Sequence, residues 1–149
     1  MVKRIIYPPV WLLLGLISIF ALNELYPMIR FTSLIFQVLG GVVIVVGLLL
    51  LVTANGLFVR AGTDVIPFRD VSSLVTTGIY RFTRNPMYLG MFMMLFGVAF
   101  LLGSIGALIP MPVFVLIIRN NFVLGEERFL EAVFGHSYLA YKSEVRRWI

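Results

Sequence analysis

Charged residues are absent from three long stretches of the chain. Residues 5–23, 31–59 and 85–118 contain no Asp, Glu, Lys or Arg. A helix needs about 20 apolar residues to cross the roughly 30 Å hydrocarbon core of a bilayer. The first two stretches therefore predict membrane-spanning helices at Ile6–Leu25 and Phe31–Ala54.

The third apolar stretch, 34 residues long, is too long for one crossing and predicts a helical hairpin. Gly103-Ser104-Ile105-Gly106 in its middle is typical of a tight turn. This turn divides the stretch into helices at Pro86–Leu102 and Ile105–Leu124. Pro110 and Pro112 are expected to kink the second of these helices.

The C-terminal tail, residues 126–149, is amphipathic and is interrupted at Gly135. This pattern predicts two helices that lie at the membrane interface. The whole sequence therefore predicts an all-α membrane protein with four transmembrane helices, a C-terminal helical hairpin and interfacial tail helices. Its single domain comprises two N-terminal spans (1–54), a cytoplasmic loop (55–85) and the hairpin with its tail (86–149).

The basic residues indicate how this domain is oriented. With four spans, eleven of the twelve Lys and Arg residues lie on one face, and Arg30 lies on the other. Because cytoplasmic loops are enriched in Lys and Arg, this face and both termini are predicted to be cytoplasmic. A cleavable signal peptide after Lys3 and Arg4 is the alternative for the first span. The stretch lacks a clear small-x-small cleavage site, which favours a retained span.

Composition narrows the possible chemistry. The chain is 60% hydrophobic and 13% charged, with a mean hydropathy of +1.01, which excludes an ordinary soluble domain. It has no cysteine and one histidine, His136, so disulfides and thiolate chemistry are excluded and no metal site is expected. The net charge of +5 fits membrane topology and anionic lipid headgroups. It does not indicate nucleic acid, since the basic residues are not interleaved with aromatics on a soluble surface.

The segment Arg84-Asn85-Pro86-Met87-Tyr88 has the pattern of a helix start. Asn is a strong N-cap and Pro favours the first helical position, so a purely structural role remains open. A helix N-terminus also favours an anion, and Arg81 and Arg84 would strengthen such a site. Nearby aromatic rings could face a cation or belong to the aromatic belt of the interface: Tyr80, Phe82 and Tyr88.

Two adjacent carboxylates, Glu126 and Glu127, follow the last predicted span. Adjacent helical residues point about 100° apart, so the two side chains need different partners. A structural salt bridge to Arg119 or Arg84 would explain one glutamate, and the other is expected to face a ligand, a cation or water. Ionisable residues in or beside a membrane span are candidates for function.

In this order and spacing, these segments resemble the membrane methyltransferases of the isoprenylcysteine carboxyl methyltransferase and phospholipid methyltransferase group. The resemblance covers about residues 55–149 and includes two pieces of the tail: Phe134-Gly135-His136-Ser137-Tyr138-Leu139-Ala140-Tyr141 and Val145-Arg146-Arg147-Trp148. It implies methyl transfer from S-adenosylmethionine, bound between the last two spans and the C-terminal helices.

The resemblance, carried over by position, implies a set of cofactor-binding residues, to which Tyr80 adds an aromatic ring: Arg84, Asn85, Pro86, Tyr88, Glu126 and Glu127. The isoprenylcysteine enzymes have His where this chain has Asn85, which can form hydrogen bonds but cannot titrate. For an anionic acceptor, Arg146 or Arg147 is expected to supply the cation. For a neutral amine, Glu127 is the expected base.

The expected acceptor is a lipophilic or membrane-embedded small molecule that enters from the bilayer between the third and fourth spans. The expected location is a bacterial inner membrane, with the active site facing the cytoplasm. Two other classes remain open: a non-catalytic packing or lipid-binding module, and a transporter subunit. The absence of a charged residue from the middle of every predicted span argues against the transporter. Gly40, Gly41 and Gly47 allow close helix packing in the second span and make a dimer possible.

Overall fold

The computed structural model describes residues 7–62 and 73–149, and the regular elements in these ranges are helical. Short 3-10 helices lie at Gly78–Arg81 and Gly106–Leu108, and a π-helical turn lies at Arg119–Val123. The α-helices of these ranges are α1 (Pro8–Leu25), α2 (Leu34–Arg60), α3 (Pro86–Leu102), α4 (Pro110–Ile118), α5 (Leu124–Phe134) and α6 (His136–Glu144).

The described helices fit an integral membrane protein. Three helical segments in these ranges are long and apolar enough to cross a membrane: Pro8–Leu25, Leu34–Arg60 and Gly106–Phe134. The predicted bounds of α3 are confirmed, but its 17 residues span only about 26 Å. Four spans and cytoplasmic ends stay predictions. The predicted orientation rests partly on Lys3, Arg4 and Arg69, which lie outside the described residues. Ile6, the predicted first residue of the first span, also lies outside them.

The last apolar segment differs from its prediction in two places. The prolines do not kink it, because Pro110 is the first residue of α4 and Pro112 lies in the first turn, where a missing amide donor costs little. The irregularity lies instead at Arg119–Val123, where the chain forms a π turn. The helical segment then continues without a break through α5 as far as Phe134, so α5 is joined to the last apolar helix. The interfacial position of the tail helices stays a prediction.

At one end of the bundle, the loop between α1 and α2 meets the turn between α3 and α4. The amide of Phe31 donates to the carbonyl of Gly103 at 2.8 Å, and the amide of Ile105 donates to Ile29 at 3.0 Å. Gly103 has a left-handed φ of +66°, as the predicted tight turn requires. With these two turns together, the starts of α1 and α3 and the end of α2 gather at the opposite end.

Helices α2 and α3 are held together by two contacts between glycine backbones. A Cβ atom on Gly40 would lie 2.6 Å from the carbonyl oxygen of Gly97, and one on Gly47 would lie 2.8 Å from that of Gly90. The pairs are two helical turns apart and in reversed order, as antiparallel helices require. The predicted close packing is confirmed for Gly40 and Gly47, as a contact between two helices of the same chain, but not for Gly41, where a Cβ atom would have nothing within 4 Å. A dimer stays a prediction that these two glycines do not support.

Helix α3 is the central helix of the bundle. It packs against α1, α2 and α4, and its residues Leu95 and Ala99 are fully buried. Ile19 of α1 and Phe122 of the π turn are fully buried in the same core. Without a hydrophobic driving force in lipid, such close packing is a main source of helix association. The start of α3 is therefore held by contacts with three other helices.

The glycine contacts make a prediction about stability. Gly40→Ala places a methyl group against the Gly97 backbone, which cannot move aside as a side chain can, and should lower the unfolding free energy by about 1–3 kcal/mol. Gly41→Ala is the matched control, because nothing lies within 4 Å of that position. It should leave stability unchanged or raise it by up to about 1 kcal/mol. Thermal unfolding in detergent, followed by circular dichroism, measures both; equal effects would contradict this packing.

Candidate active site

A cavity of about 480 Å³ lies at the end of the bundle where the helix ends gather. The starts of α1 and α3, the end of α2, the first half of α5 and one face of α6 all contribute to its wall. Its volume lies in the range of roughly 300–1,000 Å³ that is common for small-molecule sites. All seven residues implied as cofactor-binding line this cavity: Tyr80, Arg84, Asn85, Pro86, Tyr88, Glu126 and Glu127.

The start of α3 brings four of these residues to the cavity. Asn85 occupies the N-cap position and Pro86 the first helical position, as predicted. The side chain of Asn85 does not cap its own helix. Its amide Nδ2 donates instead to the carbonyl of Arg147 at 2.9 Å. The buried Asn85 therefore connects α3 to the C-terminal end of the chain.

Glu127 lies in a buried ion-pair cluster with two arginines. The Nε and Nη2 atoms of Arg147 donate to its two carboxylate oxygens at 2.8 Å each. The Nη1 atom of Arg84 lies 3.3 Å from Oε1. The hydrogen bond to Glu127 raises the pKa of Arg147 above its usual range. Of the two predicted partners, Arg84 is confirmed and Arg119 is wrong, since its side chain is exposed.

Glu126 has a different environment from its neighbour. The hydroxyl of Tyr88 donates to its Oε1 atom at 2.7 Å. Among the described residues, no lysine or arginine forms an ion pair with Glu126. The two adjacent glutamates thus have different partners, as expected from their directions on the helix. Glu126 is the carboxylate that can meet a cationic or hydroxyl group inside the cavity.

Two donor atoms of Arg84 make no hydrogen bond to any described residue, although one of them belongs to the ion pair with Glu127. Its side chain is 9% exposed, and its buried Nε and Nη1 atoms have no hydrogen-bond acceptor within the described ranges. An unsatisfied buried donor is costly, and more so when it is charged. The ion pair with Glu127 lacks hydrogen-bond geometry. These donors therefore fit an additional anionic group, such as a carboxylate.

Three tyrosines close the cavity on the side of α6. The hydroxyl of Tyr141 donates to the carbonyl of Tyr80 at 2.7 Å, and Tyr138 is 2% exposed. Burial raises the pKa of Tyr80, Tyr138 and Tyr141 above the usual range, so their hydroxyls stay protonated at neutral pH. Tyr138 and Tyr141 were not among the predicted site residues. Two signals could have found them: their place on the apolar side of the amphipathic tail and their presence in the tail segment that resembles the family.

Two predicted site residues and one aromatic lie elsewhere. Neither Arg146 nor Arg147 lines the cavity. The Arg146 side chain is exposed, whereas the Arg147 side chain is held by Glu127 behind the wall. Phe82, a predicted ring partner for a cation, is 74% exposed and also outside the cavity. Neither of these two tail arginines therefore lines the cavity, where it was predicted to supply the cation for an anionic acceptor.

A second, smaller cavity of about 190 Å³ lies between α3 and α4 and is called the apolar cleft here. Its lining is almost entirely hydrophobic: Tyr88, Leu89, Phe92, Phe114, Val115, Ile118 and Trp148. Tyr88 lines both this cleft and the larger cavity, which is called the polar cavity here because Arg84, Glu126 and Glu127 line it. The apolar cleft suits a hydrocarbon group, and the polar cavity suits a ligand with charged groups.

Comparison with known proteins agrees with the resemblance of the motifs. The family model of phospholipid methyltransferases matches residues 35–137. The protein-S-isoprenylcysteine O-methyltransferase of Schizosaccharomyces pombe is 33% identical over 72 residues, which are 48% of this chain but only 30% of that protein. An uncharacterized protein of Haemophilus influenzae is 36% identical over 63 residues, which are 42% of this chain and 100% of that protein.

No solved structure matches the chain. The family match covers more than two thirds of the chain, including the polar cavity's two glutamates and the start of α3. The chain therefore belongs to the phospholipid methyltransferase family, whose members transfer methyl groups.

Proposed function

We propose that this protein transfers a methyl group from S-adenosylmethionine to a lipophilic acceptor within the membrane, at its cytoplasmic face. The observation that carries this proposal is the polar cavity, which is lined by the six residues implied by the family motifs and by Tyr80, although Tyr80 and Glu127 are 47 positions apart in the chain. The proposal concerns an activity of the family; the acceptor is inferred from the cavities.

The residues of the polar cavity fit the charged groups of S-adenosylmethionine. The Nε and Nη1 atoms of Arg84, which make no hydrogen bond within the described ranges, suit its carboxylate. The Glu126 carboxylate, which has no ion-pair partner among the described residues, suits its ammonium group or its ribose hydroxyls. The buried rings of Tyr80 and Tyr138 supply apolar surface for the remaining part.

When bound, S-adenosylmethionine supplies a methyl group that passes from its sulfonium to the acceptor, so that one C–S bond breaks, one bond to the acceptor forms and the sulfur loses its charge. The chain would contribute mainly position and exclusion of water. Both oxygens of Glu127 are engaged by guanidinium groups. We therefore assign Glu127 and Arg147 to holding the site together, and no role as base or as acceptor cation is proposed for them or for Arg146.

The apolar cleft supports a lipophilic acceptor. It lies between α3 and α4, where the sequence predicts entry from the bilayer, and its lining has no charged residue. Tyr88 lines both the cleft and the polar cavity. An acceptor with its apolar part in the cleft would bring its reactive group to Tyr88, next to the cofactor.

The first test is the binding of S-adenosylmethionine to the purified protein in detergent, by calorimetry. The wild type should bind saturably, and Glu126→Gln should bind roughly 10- to 150-fold more weakly, since hydrogen bonds to charged groups contribute about 1.5–3 kcal/mol. Glu131→Gln is the matched control in the same helix. Its carboxylate pairs with Lys142 at the surface, so affinity should not change.

Absence of binding by well-folded wild-type protein, with and without added lipid, would sink the enzyme hypothesis. It would favour the non-catalytic membrane module. Equal losses in the two variants would show that Glu126 has no special role in the site.

The second test concerns the acceptor. Val115→Phe fills part of the apolar cleft and should lower transfer of labelled methyl to membrane lipids by roughly 10-fold, with unchanged affinity for S-adenosylmethionine. Val113→Phe is the matched control on the same helix, because Val113 is 53% exposed on the outer surface. Transfer is measured as radioactivity extracted into organic solvent from membranes that contain the protein. Equal activity of the two variants would contradict acceptor binding in the cleft.

A further inference from the structure

The chain leaves α6 at Glu144 and reaches the start of α3 as a non-helical segment, residues 145–149, called the C-terminal strap. The amide of Arg84 donates to the carbonyl of Arg146 at 3.0 Å. The next carbonyl, that of Arg147, accepts from Asn85 Nδ2 at 2.9 Å and from Thr83 Oγ1 at 3.2 Å. Three donors just before α3 thus hold two successive carbonyls of the strap.

Asn85 supplies the shortest of these bonds. It is 8% exposed and Thr83 is 3% exposed, so neither side chain can exchange its partner freely with water. The backbone amide of Asn85 also donates to Thr83 Oγ1 at 3.2 Å, which joins the two residues into one unit. The side-chain amide of Asn85 therefore holds the strap in place, and it affects the cavity through the strap.

The side chains of the strap reach both cavities. Arg147 holds Glu127 in the wall of the polar cavity. The next residue, Trp148, lines the apolar cleft and packs against the core. One short segment therefore supports the wall of the proposed cofactor site and forms part of the wall of the proposed acceptor site.

We propose that Asn85 is a positioning residue: it anchors the C-terminal strap so that Arg147 engages Glu127 and Trp148 closes the apolar cleft. This inference rests on the proposed function for its effect on binding. Its structural part, the attachment of the strap, is independent of that function. It also gives a physical role to the position where the isoprenylcysteine enzymes have His, since an imidazole N–H is likewise a donor.

The attachment of the strap can be measured through Trp148. The chain has two tryptophans, so Trp11→Phe leaves Trp148 as the only one. In that background, Asn85→Asp replaces the donor with a carboxylate against the Arg147 carbonyl, and quenching of Trp148 fluorescence by iodide should increase. Asn85→His restores a donor and should quench like the parent. Unchanged quenching in the folded Asp variant would overturn the proposal.

The effect on the site is measured as affinity for S-adenosylmethionine. Asn85→Asp should weaken binding roughly 10-fold, and Asn85→His should restore it to within about threefold. In the Arg147→Ala background, where the link from strap to Glu127 is already lost, Asn85→Asp should have little further effect. Additive losses would show direct contact of Asn85 with the cofactor and would overturn the positioning role.

The outcomes separate this inference from the proposed function. If the wild type does not bind S-adenosylmethionine, the proposed function fails, while the quenching experiment still decides whether Asn85 anchors the strap. If Asn85→Asp does not fold, Thr83→Val removes the second bond to the same carbonyl. It should increase quenching by a smaller amount, and unchanged quenching in that variant would overturn the proposal.

Discussion

The buried carboxylate of Glu127 is the interaction on which the organisation of the site depends. A charge removed from water is costly unless partners satisfy it, and losing one partner of a buried pair is strongly destabilising. Here the partners are Arg84, just before α3, and Arg147, in the C-terminal strap. Three distant parts of the chain must therefore meet at one point, and that point lies in the wall of the polar cavity.

The two adjacent glutamates have different roles: Glu127 pairs with the arginines, and Glu126 faces the cavity. Because neighbouring residues on a helix point about 100° apart, Glu127 can turn toward the arginines while Glu126 turns toward Tyr88 and the cavity. The π turn at Arg119–Val123 sets this direction, since it bonds Leu124 N to Arg119 O and so adds a residue to one turn. Such turns are frequent at functional sites.

The glycine contacts between α2 and α3 place the framework of the site. Side chains at these positions would keep the two backbones apart, whereas the glycines let them touch near Gly40 and Gly47. Helices α1 and α4 also pack on α3. These contacts together fix where the start of α3 lies relative to the other helix ends. The polar cavity thus lies where the packed helices end. Its polar side chains lie there because burying them in the apolar core would be costly.

The pattern of apolar stretches predicted the apolar helices, and the bounds of α3 are as predicted, because length and hydropathy are local properties. The predicted bounds of α2, Phe31–Ala54, are wrong at both ends, since the helix begins at Leu34 and continues to Arg60. Local motifs likewise indicated the family and seven of the residues that line the polar cavity. The tertiary structure alone decided which glutamate pairs with arginine and that Asn85 donates to the strap, since both depend on groups far apart in sequence. The expected salt bridge from Arg119 does not form, because the π turn adds a residue between Arg119 and the glutamates and so changes their relative directions on the helix. Tyr138, Tyr141 and the apolar cleft arise from helices packing together, which no single segment of the sequence encodes.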